Sequence, residues 1–164
     1  MRAADKVLSR DALANVVAAE RATRSPVVFT NGVFDLLHVG HVRYLEYARG
    51  LGAMLIVGVN SDASARGLDK GPGRPIVPAA ERAEVVAALA CVDYVCVFDE
   101  ALPDATIRAL RPDVHVKSDQ YRLDELPEVR AVEEVGGRVV LAPHVASLST
   151  SDIVRRICKS GAAP

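Results

Sequence analysis

The sequence predicts a single α/β domain built on a parallel, five-stranded sheet flanked by helices. Three observations carry that prediction. Short runs rich in Val, Ile and Leu recur along the chain and read as strands buried on both faces. Helical patterns of ten or so residues stand between them, and strand–helix–strand order makes parallel βαβ units with right-handed crossovers. No repeat, low-complexity tract or internal boundary divides the 164 residues, a length sufficient for one full core.

Residues 9–24 read as a first helix: Ser9 or Asp11 caps it, Leu13, Val16 and Val17 form its apolar stripe, and Ser25-Pro26 ends it. Residues 1–25 are therefore expected to form a helical arm over one end of the sheet, with residues 26–160 as the domain proper. The first strand is Val27 to Thr30, broken by Asn31-Gly32. A helical face of Val42, Leu45 and Ala48 follows, stopped by Gly50 or Gly52. Met54 to Asn60 is the second strand, closed by Asn60-Ser61-Asp62 as a turn or helix cap.

Residues 66–77 lose all periodicity and read as a mobile loop bearing Lys70 and Arg74, either a solvated linker or a lid whose cations meet phosphates. Pro78 opens a helix with Val85, Val86 and Leu89 inward. Tyr94–Phe98 is the third strand, Asp104–Leu110 a helix stopped by Pro112, and Val114–Lys117 the fourth strand. Glu128–Val135 is a helix closed by Gly136-Gly137, and Val139–Leu141 the fifth strand. The last helix, Asp152–Lys159, turns Ile153, Val154 and Ile157 inward.

Chemistry concentrates where the first strand meets the second helix. His38-Val39-Gly40-His41 places two imidazoles three residues apart at a helix start, where free N–H groups and the helix dipole favour an anion. Gly40 lets a ligand approach the backbone. The pair reads as a packing feature, a metal site or a phosphate site. Zinc fits less well, because no Cys or His cluster completes a tetrahedron. Ser149-Thr150-Ser151 supplies a second hydroxyl-rich helix start; one cap needs a single hydroxyl, so the cluster reads as a second phosphate grip. Ligands of parallel sheets bind beyond the carboxyl ends of the strands, the rim where His38, His41, Lys117 and Ser149 are expected.

Composition narrows the partners. Net charge is −1 and aromatics are 4% of residues, which argues against a nucleic-acid groove, a base-stacking platform and an anionic membrane surface. No signal peptide or membrane span is visible at the sequence level, and Cys91, Cys96 and Cys158 read as reduced, mostly buried thiols of a cytoplasmic protein.

Phe29-Thr30-Asn31-Gly32 through His41, with Leu148-Ser149-Thr150-Ser151-Asp152-Ile153, resembles the two signatures of the HxGH nucleotidylyltransferase superfamily. Within it the chain is most similar to adenylyltransferases acting on heptose 1-phosphate, through Thr30–Asp35, Val59–Ser64, Arg74–Pro78, Leu89–Asp93, Phe98–Glu100 and Arg111–Lys117. The likeness covers residues 26–158, and the absence of a sugar-kinase segment matches a stand-alone transferase. Ala90-Cys91 and an arginine-free Pro143–Ser147 segment separate it from the glycerol-3-phosphate cytidylyltransferases.

The resemblance implies a Rossmann-like fold and transfer of AMP from ATP to a sugar 1-phosphate, with pyrophosphate released and Mg2+ bound through the nucleotide phosphates. It implies His38, His41 and Lys70 in catalysis. Nucleotide contacts are implied for Thr30, Asn31, Gly32, Phe34, His38, Gly40, His41, Arg82, Lys117, Ser149 and Thr150, and acceptor contacts for Asp35, Lys70, Arg74, Ser118, Asp119 and Gln120. No metal is expected on protein ligands alone, and a homodimer is expected. Heptose enzymes usually read Lys-Gly-Gly-Asp-Tyr where this chain reads Lys117-Ser118-Asp119-Gln120-Tyr121; this departure leaves the acceptor as a heptose 1-phosphate-like sugar phosphate that need not be the usual heptose. Other readings are a transferase acting on another small phosphate, such as glycerol 3-phosphate, and a nucleotide-binding module without turnover.

Overall fold

A computed structural model describes residues 1–68, 71, 73–143 and 149–160. The strands are β1 Val27–Gly32, β2 Met54–Asn60, β3 Tyr94–Phe98, β4 Val114–Ser118 and β5 Arg138–Ala142. All pair in parallel, in the order β3-β2-β1-β4-β5. The order reverses at β1. The chain winds outward through β2 and β3, then returns to lay β4 on the other edge of β1, in register from Val28↔Val114 to Thr30↔Val116. A crevice opens at such a switch point, beyond the carboxyl ends of β1 and β4.

The helices are α1 Arg10–Glu20, α2 Val39–Arg49, α3 Asp62–Gly67, α4 Ala79–Ala87, α5 Asp104–Leu110, α6 Val129–Glu134 and α7 Thr150–Ser160. Strand side chains alternate between two cores. Val28, Leu55, Val57 and Val116 pack with Leu45 and Ala48 of α2 and Ala83 and Val86 of α4. Val27, Phe29, Met54 and Ile56 pack with Leu13 and Val17 of α1, Ile107 and Leu110 of α5, and Ala131 and Val132 of α6. Covering on both faces explains the uninterrupted apolar runs. Between α2 and β2, Gly52 passes so near Pro26 that a Cβ would sit 2.3 Å from its carbonyl oxygen. Only glycine fits there.

Three packing expectations are revised. The α1 helix lies on a face of the sheet against α5 and β3, not over its end. Val85 points outward, 51% exposed, because α4 turns Arg82, Ala83, Val86 and Ala87 inward. On α7 no residue is fully buried, and Ile157 is 60% exposed. The loop after α3 is fixed at its far end: Asp35 Oδ1 accepts the N–H groups of Ile76 (2.8 Å) and Val77 (3.0 Å).

Candidate functional site: a phosphate-binding cavity

At the switch point lies a cavity of about 380 Å3. Its lining joins Asn31, Gly32 and Phe34 after β1, His38, Gly40 and His41 at the start of α2, Lys117 and Ser118 at the end of β4, and Ser149 and Thr150 at the start of α7. Two helix N-termini therefore converge on one space, each presenting N–H groups and the positive end of a dipole.

The turn after β1 is built around Phe34, which takes a left-handed backbone, φ 49°, rare for a bulky side chain and characteristic of functional turns. Its ring covers Gly32, where a Cβ would lie 3.1 Å from it, and meets His41 edge-on at 5.3 Å. His38 is the N-cap of α2, and its ring lies 3.9 Å from that of His41, centroid to centroid. The Nδ1 of His38 is buried with no hydrogen-bond partner among the described residues. Burial lowers its pKa below the ordinary imidazole value, which favours a neutral ring able to donate one N–H.

Asp35 and Arg74 pair across the cavity wall, Arg74 Nε to Asp35 Oδ2 at 2.5 Å. With its other oxygen on Ile76 and Val77, the Asp35 carboxylate is fully engaged, so the wall does not repel an anion. On the opposite side Lys117 Nζ lies 3.4 Å from Asn31 Oδ1 and 5.5 Å from the centre of the Tyr121 ring. Ser149 and Asp152 cap α7 reciprocally: Ser149 donates from N and Oγ to Asp152 Oδ2 at 2.8 and 2.7 Å, and Asp152 N donates back to Ser149 Oγ at 3.2 Å. Thr150 Oγ1 donates to Leu36 O at 3.2 Å, tying α7 to the histidine turn.

Several sequence expectations do not reach the cavity. Thr30 is fully buried; its hydroxyl lies 2.7 Å from Tyr44 Oη and 3.0 Å from Val116 O, bracing β1, α2 and β4. Arg82 is 1% exposed and lies outside the cavity lining. It donates to the carbonyls of Val77, Val33 and Asn60 and to Asp62, so it clamps three segments. Asp119 is exposed and outside the lining, whereas its neighbours Ser118 and Gln120 line the cavity. Lys70 lies outside the described residues. Cys158 is an exposed thiol, not a buried one.

The sequence reading missed Tyr44 and Tyr121 in the lining. Tyr44 follows His41 by three positions on one helix face, a signal that was available. It also missed Glu128, whose Oε1 lies 2.7 Å from Lys117 Nζ and 3.7 Å from His115 Nε2. Burial alone would raise the Glu128 carboxyl. The His115 contact and the Lys117 charge overcome that and hold it down at about 2. A carboxylate depressed in the fold contributes stability that is full above its ordinary value of about 4.5 and is lost as pH falls toward about 2. Glu128→Gln is accordingly expected to flatten the acid-denaturation curve over that window, read by circular dichroism. An unchanged slope would refute the assignment.

Among the described residues no group of three His, Cys, Asp or Glu side chains is placed to hold a metal, and no helix is long and apolar enough to cross a membrane.

A switch-point cavity between two helix N-termini, walled by paired imidazoles and cations, marks a nucleotide-handling α/β protein. The chain belongs to the cytidylyltransferase-like family, whose domain matches residues 29–156. It is 49% identical over 152 residues to the D-beta-D-heptose 1-phosphate adenylyltransferase of Bordetella bronchiseptica, covering 93% of each chain. It is 52% identical over 155 residues to the bifunctional protein HldE of Geobacter sulfurreducens; that match takes in 94% of this chain and spans 31% of the relative's length. A solved structure, the lipopolysaccharide core biosynthesis protein from Thermoplasma volcanium, superposes with TM-score 0.62 at 28% identity, covering 74% of this chain and 98% of that one.

Proposed function

We propose that the chain transfers AMP from ATP to heptose 1-phosphate or a closely similar sugar 1-phosphate. The observation that carries this is the meeting of the α2 and α7 N-termini at one cavity beside His38 and His41. The full-length likeness to a heptose 1-phosphate adenylyltransferase directs the choice of acceptor.

In this reading an oxygen of the sugar phosphate attacks the α-phosphorus of ATP in line. The new P–O bond forms as the bond to the bridging oxygen breaks, and pyrophosphate leaves with that electron pair. His38 and His41 donate ring N–H groups to the oxygens on which charge develops. Lys117 and the first turn of α7, with Ser149 and Thr150, hold the β- and γ-phosphates, while Asn31, Gly32, Phe34 and Gly40 shape the nucleotide side. Arg74, oriented by Asp35, and Ser118 and Gln120 face the acceptor. Magnesium enters on the triphosphate. The cavity suits an ion brought by substrate, since Asp35 in its wall is already held by Arg74 and two N–H groups.

A cytoplasmic homodimer belongs to the same reading. Free Cys91, Cys96 and Cys158 support the compartment. The apolar strip of Ile153, Ile157 and Val85 supports a second copy, and sedimentation velocity reads it directly.

Pyrophosphate release tests the activity, with heptose 1-phosphate and glycerol 3-phosphate compared as acceptors. Release is expected with the heptose and not with glycerol 3-phosphate; ATP binding with no release for any acceptor would overturn the proposal. Because Gln120 lines the cavity and Asp119 does not, the acceptor would meet an amide where the Lys-Gly-Gly-Asp-Tyr pattern of heptose enzymes has a carboxylate. Ser118→Gly, Asp119→Gly and Gln120→Asp together are expected to raise kcat/KM for heptose 1-phosphate relative to other sugar phosphates. An unaltered ratio would remove this segment from acceptor choice.

A further inference from the structure

Glu128 has no place in the cavity, yet it holds a cation that does. It stands at the N-cap of α6, 3% exposed, with Oε1 2.7 Å from Lys117 Nζ. Lys117 leaves β4 at its carboxyl end and lines the cavity. A lysine ammonium has three donors. One meets Glu128, one reaches toward Asn31 Oδ1 at 3.4 Å, and the third is left for an incoming oxygen. The stem of a lysine is long and flexible, and an unanchored one must be frozen again by each ligand. A buried carboxylate also costs free energy unless it is paired, so Glu128 and Lys117 fix each other.

We propose that Glu128 is the positioning residue for Lys117, holding the ammonium at the rim so that its remaining donor meets a ligand phosphate already in place. The inference rests on the phosphate-site reading above. It gives α6 a part in binding although α6 contributes nothing to the cavity lining.

A double-mutant cycle on the full chain tests it, with magnesium ATP binding measured by calorimetry and folding by thermal melting. Glu128→Met fills the space without an acceptor, and Lys117→Met/Glu128→Met removes both partners at similar volume. Glu128→Ala is run in parallel, so that misfolding of one variant does not end the test. Glu128→Met is expected to weaken ATP binding roughly ten- to thirtyfold, the cost of freezing a lysine stem anew. KM for ATP should rise while kcat changes less, because Lys117 grips ground state and transition state alike. Glu128→Gln keeps an acceptor and is expected to stay within a few-fold of wild type. In the Lys117→Met background, loss of Glu128 should cost nothing further in binding.

An equal loss in both backgrounds, or failure of Gln to rescue, would overturn the proposal in favour of a role in holding α6. If Lys117→Met alone leaves ATP binding intact, the phosphate-site reading of Lys117 fails. If Lys117→Met weakens binding and Glu128→Met does not, only the positioning role falls.

Discussion

Replacing His38 or His41 with alanine is expected to lower kcat by roughly 10²- to 10³-fold, the usual cost of one oxyanion donor, while ATP affinity changes by no more than a few-fold. The asymmetry follows from where the rings sit. They stand at the N-terminal turn of α2, 3.9 Å apart, beside N–H groups that, in the proposed function, bind the ground-state phosphates. What the rings add is donation to oxygens whose charge grows as pyrophosphate departs, so their loss falls on kcat. Burial keeps His38 below the ordinary imidazole value of 6.5, so its N–H is available on the neutral ring. The rate should therefore not drop as pH rises through about 6.5. Stopped-flow pyrophosphate release beside equilibrium nucleotide titration makes both measurements. Wild-type kcat in His38→Ala would remove that residue from the chemistry, and a loss of ATP affinity with kcat kept would place the rings in ground-state binding.

Arg82→Leu carries the second large effect, and it falls on the fold. The guanidinium serves the carbonyls of Val33, Asn60 and Val77 and the carboxylate of Asp62. Leucine leaves these acceptors, two of them buried carbonyls, without this donor, a loss on the order of 3 kcal/mol or more. A marked fall in melting temperature is expected, with ATP affinity of the remaining folded protein near wild type. The resemblance to HxGH enzymes implied the reverse, an arginine directed at phosphate. A stable Arg82→Leu protein with weak ATP binding would restore that assignment.

Arg82 also shows where the sequence stops being legible. β1 to β4 were readable because their apolar runs are largely buried; β2 and β3 fall on the residues the pattern marked. Both signature turns were readable because their chemistry is local, a few neighbouring residues at a helix start. Arg82 takes its meaning from carbonyls at positions 33, 60 and 77, which meet only after the chain has crossed the sheet. The same holds for Glu128, whose partner Lys117 lies on another element. Thr30 lies outside the cavity for a related reason. Its neighbours Asn31 and Gly32 do line the cavity, but alternation along β1 turns the Thr30 hydroxyl down toward Tyr44 and Val116. Val85 fits a helical stripe on paper. The inward face of α4 is instead set by Arg82, a charged residue that no hydrophobic pattern would place inside.

The central position of β1 has a consequence for biosynthesis. Its first edge is matched by β2, which follows after a single helix. Its second edge is matched only by β4, after residues 61–113 have been made. Translation proceeds at roughly 5–20 residues per second, so the central strand of the sheet leaves the ribosome with one row of N–H and C=O groups unpaired for several seconds. An open strand edge is a template for pairing with another chain. The nascent protein is thus most exposed to aggregation after the histidine turn has formed and before Val114–Val116 arrive to close that edge.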